Sequence, residues 1–223
     1  MSPFDASGLP ETGDAAPEAG WIAAGLRQEF PGLALRFTTI DRGSGRSGRE
    51  VKQRLRGLAD RFSGAQAINL RHQPIPWAYR VFYRHIGLDP DEQPTPIEGL
   101  ALERMKHGGF RSQSLLDDAL TIATIESGVA LRAFDADRLS GRLGIRASEP
   151  GESLEGRPGE LPPGTLTIAD EARPISLLFG AIAAGRGVSP SSSRTTLVAI
   201  QVTGVPDIAV EEALWLAASV LCS

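Results

Sequence analysis

The stretch "ALRAFDADRLSGRLGIRASEPGE", residues 130–152, decides how this chain is read. It carries four acidic and four basic residues around a thin apolar thread and holds no helical period of useful length. Asp135 and Asp137 stand one residue apart. In an extended chain they face the same side; in a turn they bond backbone amides and organise the chain. Arg142 and Arg146 then flank a short strand, and "PGE" opens a turn. On its residues alone, the segment connects a helix to a sheet.

Upstream of it the chain reads as helices. In "REVKQRLRGLADRF", residues 49–62, Val51, Leu55, Leu58 and Phe62 recur at helical spacing. "WAYRVFYRHIG", residues 77–87, is a helix closed by Gly87. "TPIEGLALERMKHGG", residues 95–109, opens with Thr95 as N-cap, Pro96 in the first turn and Glu98 three residues after the cap. "SQSLLDDALTIATIESG", residues 112–128, starts at Ser112 or Ser114 and stops at Gly128. Nearer the start, "WIAAGLRQEF" (21–30) reads as a short helix and "GLALRFTTI" (32–40) as a strand.

Downstream the texture changes. "LGIRAS", "GTLTIAD", "PISLLFG" and "TTLVAIQV" are short strands between Gly- and Pro-rich turns, and "DIAVEEALWLAASVL" is a closing helix that Asp207 is placed to cap. Helices, then strands, then one helix predict an α+β fold, not an alternating parallel α/β sheet. Residues 1–20, rich in Pro, Gly, Ala and acids, are expected to be a disordered tail, leaving one domain over residues 21–223.

The chain has 223 residues, 41% hydrophobic and 22% charged, with a net charge of −4, so no global basic field points to nucleic acid. The single cysteine, Cys222, excludes a disulfide framework. The first twenty residues have no basic start and no apolar run, unlike a signal peptide, and no apolar stretch approaches membrane-spanning length. A soluble, cytoplasmic chain is expected. Neither G-x-G-x-x-G after a strand nor a Walker-type "GK" with Ser or Thr occurs, so nucleotide-dependent chemistry has no support.

Candidate chemistry is sparse. His72, His85 and His107 do not pair at ligand spacing, and neither a metal nor another cofactor is expected. "GVSPSSSRTT", residues 187–196, is hydroxyl-rich but lacks the nucleophile elbow. Ser189, Ser191, Ser192 and Ser193 read either as a backbone-capping turn or as the polar lip of a pocket. Arg42, Arg46, Arg49, Lys52, Arg54, Arg56 and Arg61 form a basic cluster, which is either a phosphate-tracking patch or a solvated helix face. Trp77, Tyr79, Phe82 and Tyr83 are spread around one helix, as core residues are.

Three longer segments carry a resemblance: "LTIATIESGVALRAFDADRLSGRLGIRASEPGE" (120–152), "LTIADEARPISLLFGAIAAGRGVSPSSSRTTLVAIQV" (166–202) and "FYRHIGLDPDEQPTPIEGLALERM" (82–105). In order and spacing, residues 77–202 resemble the editing module of the bacterial phenylalanyl-tRNA synthetase β chain, formed by that chain's third and fourth domains. The resemblance implies a compact α+β module, helices around mixed or antiparallel sheet, with a pocket between two sub-domains. It implies a tRNA partner, whose misacylated 3′ end is hydrolysed by positioning the ester and a water without a covalent nucleophile. With no aminoacylation or ATP-binding segment in the sequence, such a module acts in trans. A non-catalytic binder of tRNA acceptor ends, or of an amino-acid-like ligand, is the alternative on the same scaffold.

Where the family has Asn, this chain has Thr121, and where it has His, Arg132. The glycine-rich "GVMGG" is replaced by "LFGAIAA", in which Gly180 keeps its place, and the acid that follows those glycines has no counterpart. Thr121, Arg132 and the four serines are the substrate-binding candidates, with Asp135 and Asp137 holding the helix–sheet connection. Arg132 suits a carboxylate, a phosphate or the terminal ribose-phosphate, or else pairs with Asp135 to hold the turn. Thr121 is a pocket hydroxyl or a helix residue bonded back to its own turn.

Overall fold

The computed structural model describes residues 16–62, Gln66 and residues 69–223. Of the tail expected over residues 1–20, residues 1–15 lie outside the described part. Glu18–Ala19 forms β1 and pairs antiparallel with β3 (Ala34–Ile40), while β2 (Trp21–Ile22) pairs parallel with β5 (Gly144–Ala147). One short segment thus edges two different sheets. It crosses at Gly20, where a Cβ would sit 2.9 Å from both the Leu143 carbonyl oxygen and Leu35 Cβ, too close for any side chain.

Pairing across the chain overrides the local helical pattern here. The amide of Trp21 donates to the Leu143 carbonyl, and that of Ala23 to the Ile145 carbonyl. The helix expected over residues 21–30 is therefore confined to α1 (Ala24–Glu29).

The first sheet has the order β1–β3–β8–β4, with β8 (Thr195–Gln201) and β4 (Ala130–Asp135), and is antiparallel throughout. The second runs β2–β5–β6–β7, with β6 (Leu166–Ala169) and β7 (Pro174–Leu177), and is antiparallel apart from the β2–β5 pair. The architecture is α+β, with mixed and antiparallel sheets. Every residue of β8 is buried, which explains why "TTLVAIQ" is a nearly continuous apolar run and does not alternate. One apolar core spans both sheets, from Leu35, Phe134, Val198 and Ile200 to Ile145, Ile168 and Ile175.

Among the described residues, five longer helices surround the sheets: α2 (Arg49–Arg61), α3 (Pro74–His85), α4 (Pro96–His107), α5 (Leu115–Ser127) and α6 (Asp207–Cys222). The expected capping box of α4 is present. The Thr95 hydroxyl and amide both donate to the Glu98 carboxylate, at 2.8 and 3.2 Å, and Gly108 closes the helix in the left-handed region. Of the two candidate caps for α5 it is Ser114 that accepts from the Asp117 amide, at 3.1 Å. Ser112 instead donates to buried Asp118 at 2.6 Å. Asp207 does not cap α6, because its carboxylate accepts from Gln201 Nε2 at 2.6 Å.

Candidate functional site

The helix–sheet connection resolves the ambiguity of its two carboxylates. Asp135 ends β4, and its Oδ1 accepts from the Asp137 amide at 3.0 Å, starting a single 3-10 turn over Ala136–Arg138. Its Oδ2 accepts from Ser192 Oγ at 2.6 Å, while Asp137 accepts from Ser193 Oγ and from Arg194 Nη1, both at 3.2 Å. Ser189 bonds to Ser191 and Ser192 at 2.8 and 3.1 Å. The four serine hydroxyls are thus engaged with one another and with the two carboxylates. This network clamps the turn before β8 onto the end of β4.

Arg132 has different surroundings. Strand alternation puts it on the face opposite to Asp135, directly across from Val198 of β8, and Asp135 is already taken by Ser192. Among the described residues, the Arg132 guanidinium has no ion pair and no hydrogen bond. Burial pushes its pKa down, and the neighbouring Tyr83 partly offsets this.

Tyr83 of α3 is 2% exposed, and its hydroxyl also lacks a hydrogen-bond partner among the described residues. Burial raises its pKa, the Arg132 cation opposes the rise and Glu98 adds to it. The phenol therefore stays protonated at neutral pH and is a donor. Two donors thus stand within electrostatic reach of each other with no partner from the protein, and both polar heads touch solvent: among the described residues the unpartnered side-chain atom shut away from water is Arg80 Nε.

Arg80, one turn earlier on α3, provides the contrast. It is 3% exposed and bonds to Asp91 at 2.5 Å and to Glu98 at 2.7 Å. The fold supplies buried Arg80 with two carboxylates and half-buried Arg132 with none.

Phe179 links these groups to a cavity on the other side of its ring. Its ring lies 4.8 Å from that of Tyr83 and 6.1 Å from those of Tyr79 and Phe82. It also lines a cavity of about 460 Å³ formed by α1, the end of α3 and the second sheet, with Glu29, His85 and Gln93 among its polar lining groups. None of Thr121, Arg132 or the four serines lines that cavity. Thr121 is half-buried on α5, and its hydroxyl makes no hydrogen bond to its own turn. Tyr79, Phe82 and Tyr83 are buried, while Trp77 is 47% exposed beneath Arg84.

Among the described residues, no group of three or more His, Cys, Asp or Glu side chains is placed to hold a metal ion. No helix among them is long and apolar enough to cross a membrane.

Tyr83 and Phe179 are the site residues that reading along the chain misses. They stand about fifty residues either side of Arg132, and nothing local marks them apart from core aromatics. The one signal was the "LFG" that replaces the glycine-rich family segment.

The β subunits of phenylalanine–tRNA ligase from Xanthomonas euvesicatoria pv. vesicatoria (strain 85-10) and Xanthomonas oryzae pv. oryzae (strain MAFF 311018) are 39% and 40% identical over 94 residues. That from Xylella fastidiosa (strain Temecula1) is 37% identical over the same length. Each alignment covers 41% of this chain, which spans 12% of the length of those relatives. The description of the B3/4 domain matches residues 78–214, which include β4, Arg132, Tyr83 and Phe179. The match takes in well over half of the sequence, and the chain belongs to the B3/4 domain family.

Proposed function

We propose that this chain hydrolyses a misacylated tRNA ester in trans, with Arg132 and Tyr83 as the donors that hold the reacting end. The observation that carries the reading is the pair of donors without a partner in the protein, one of them a half-buried guanidinium without a counter-ion. A fully buried group left unpaired costs about 1–3 kcal/mol; half-burial lowers that figure, and a ligand oxygen arriving at the open side would recover what remains. The names of the relatives, tRNA ligase subunits, support an aminoacyl-tRNA end as that ligand.

The chemistry asks little of the protein. An aminoacyl ester is already activated; water adds to its carbonyl carbon, the carbonyl oxygen gains negative charge, and the bond to the ribose oxygen breaks. The amino acid leaves as a carboxylic acid and the tRNA regains its hydroxyl. A guanidinium fork and a phenol aimed at that oxygen stabilise the charge as it develops. Removing one such donor typically lowers the rate by about 10²–10³. This role belongs in the cytoplasm, where aminoacyl-tRNA is made.

The test is a deacylation assay of the purified chain against correctly charged and mischarged aminoacyl-tRNAs. Turnover of one or a few species, lost in Arg132→Met and reduced in Tyr83→Phe, is expected. Intact esters across the panel, with tRNA still bound, would leave the second reading: a non-catalytic binder of acceptor ends or of an amino-acid-like ligand. That reading has its own support. Asp135, Asp137 and the serines, the nearest groups along β4 and its turn, are committed to one another and not free to act as a base.

A further inference from the structure

The segment 41–61 packs seven basic and three acidic side chains into a chain whose net charge is −4. It lies wholly outside the residues that match the B3/4 family. Of its acids, Asp41 pairs with Arg194 at 3.1 Å. Of its cations, Arg54 pairs with Glu126 at 2.7 Å, and Arg61 bonds to the Gly57 carbonyl. Arg42, Arg46, Arg49, Lys52 and Arg56 are all exposed, and none forms an ion pair among the described residues. Val51, Leu55, Leu58 and Ala59 bury the opposite side of α2, which leaves Arg49, Lys52 and Arg56 in one outward row.

A solvated helix face needs no rigid support, yet the loop leading into α2 is held at four successive points. Thr195 Oγ1 donates to the Arg42 carbonyl at 2.6 Å. Gly43 lies so close to the Ser192 carbonyl oxygen that a Cβ would come within 1.8 Å of it. The Leu115 amide donates to the Gly45 carbonyl at 2.7 Å, and Ser47 Oγ donates to buried Asp118 at 2.5 Å. The first two anchors tie the basic loop to the serine turn, and Ser192 in turn grips Asp135 at the end of the strand that carries Arg132. Three residues of strand, about 10 Å, separate that grip from Arg132.

We infer that this row of cations, Arg42 and Arg46 on the loop with Arg49, Lys52 and Arg56 on α2, binds the phosphate backbone of the tRNA whose end reaches Arg132. The inference rests on the proposed aminoacyl-tRNA substrate. Arg49 to Arg56 spans about 10 Å of helix, the axial length of about three phosphates of one duplex strand. Four of the five cations are arginines, whose planar fork matches phosphate. The rigid loop makes the row a preformed surface, so binding spends little free energy on ordering it.

The test measures affinity of the full chain for uncharged tRNA between about 50 and about 200 mM salt. Alongside it, hydrolysis of a short aminoacyl-nucleoside ester, which is too small to reach α2, reports on the Arg132 site alone. In Arg49→Gln/Lys52→Gln/Arg56→Gln the slope of log affinity against log salt is expected to fall by about 3, one for each lost phosphate contact. Turnover of the short ester should be unchanged. A control with the same loss of charge elsewhere, Arg27→Gln/Arg157→Gln/Arg173→Gln, should keep native affinity and slope.

Native affinity in the α2 variant, equal losses in both variants, or no tRNA binding by the native chain at the lowest salt would each overturn the inference. Tight binding of polyglutamate, lost in the α2 variant, would reassign the row to an acidic protein partner. In each case the short ester still decides the fate of the Arg132 reading independently.

Discussion

If Arg132 is kept for a ligand and not for the fold, replacing it with an apolar side chain of similar length should stabilise the protein while removing its function. In Arg132→Met the unpaired guanidinium, worth about 1–3 kcal/mol in desolvation, is gone. An apolar side chain then faces Val198 across the ladder, a pair worth a few tenths of a kcal/mol to about 1 kcal/mol. Water at the open side of the guanidinium reduces the first contribution, and a net gain of about 1–2 kcal/mol is expected. For a chain of this size that raises Tm by about 2–8 °C.

Arg80→Met is the control of opposite sign. It strands Glu98, whose side chain is 12% exposed, and frees Asp91, which is 58% exposed and returns to water at little loss. A loss of about 2–3 kcal/mol follows, below the usual range for a broken buried pair because Asp91 is so open. Thermal and denaturant unfolding of the two variants and the native chain measures both. Destabilisation of Arg132→Met by 1 kcal/mol or more would mean that the guanidinium holds the fold, and the argument for a ligand at Arg132 would fail.

Two further outcomes follow from the same contacts. Ser192→Ala removes the 2.6 Å bond to Asp135, whose residue is 8% exposed, and should cost about 1–3 kcal/mol by leaving that carboxylate short of a donor. Unfolding midpoints of Ser192→Ala against Ser191→Ala, an exposed neighbour without that bond, test this, and equal midpoints would refute it.

Glu152 is held below the ordinary glutamate range, chiefly by its hydrogen bond from Arg146, one of whose N–H groups donates at 2.7 Å. A carboxylate with a lowered folded pKa contributes stability above its unfolded pKa and loses it as pH falls through the folded value. Glu152→Gln should therefore be less stable than the native chain by about 1 kcal/mol at pH 7, with the difference closing in acid below about pH 4. A difference that stays constant with pH would refute it.

Much of the local structure was legible along the chain. The Thr95–Pro96–Glu98 start of α4 and the glycine stops at Gly108 and Gly128 appear where the spacing puts them, because capping satisfies backbone groups within one turn. The strands at "GIRA", "LTIA", "PISL" and "TTLVAIQ" and the α+β class were legible for a similar reason: β-branched runs between turn residues have few other uses. The family was legible too, from ordered motifs spread over more than a hundred residues.

Where a partner lay far along the chain, local reading failed. Trp21 and Ile22 look helical and become a strand, because β5 offers a ladder more than a hundred residues away. Asp207 has the chemistry of a helix cap and is claimed by Gln201 instead. The deepest example is the two arginines. Arg80 and Arg132 each sit among apolar residues in the sequence, and nothing local tells them apart. Only the packing of α3 against α4 and the loop before it brings Asp91 and Glu98 to one, while the pleat of β4 turns the other away from Asp135 and towards Tyr83. The sequence by itself determined the elements, whose free energies are settled within a turn or a ladder end. Which charge is neutralised and which is left unpaired was decided by the tertiary structure, because Coulomb and hydrogen-bond partners are chosen by distance in space and not along the chain.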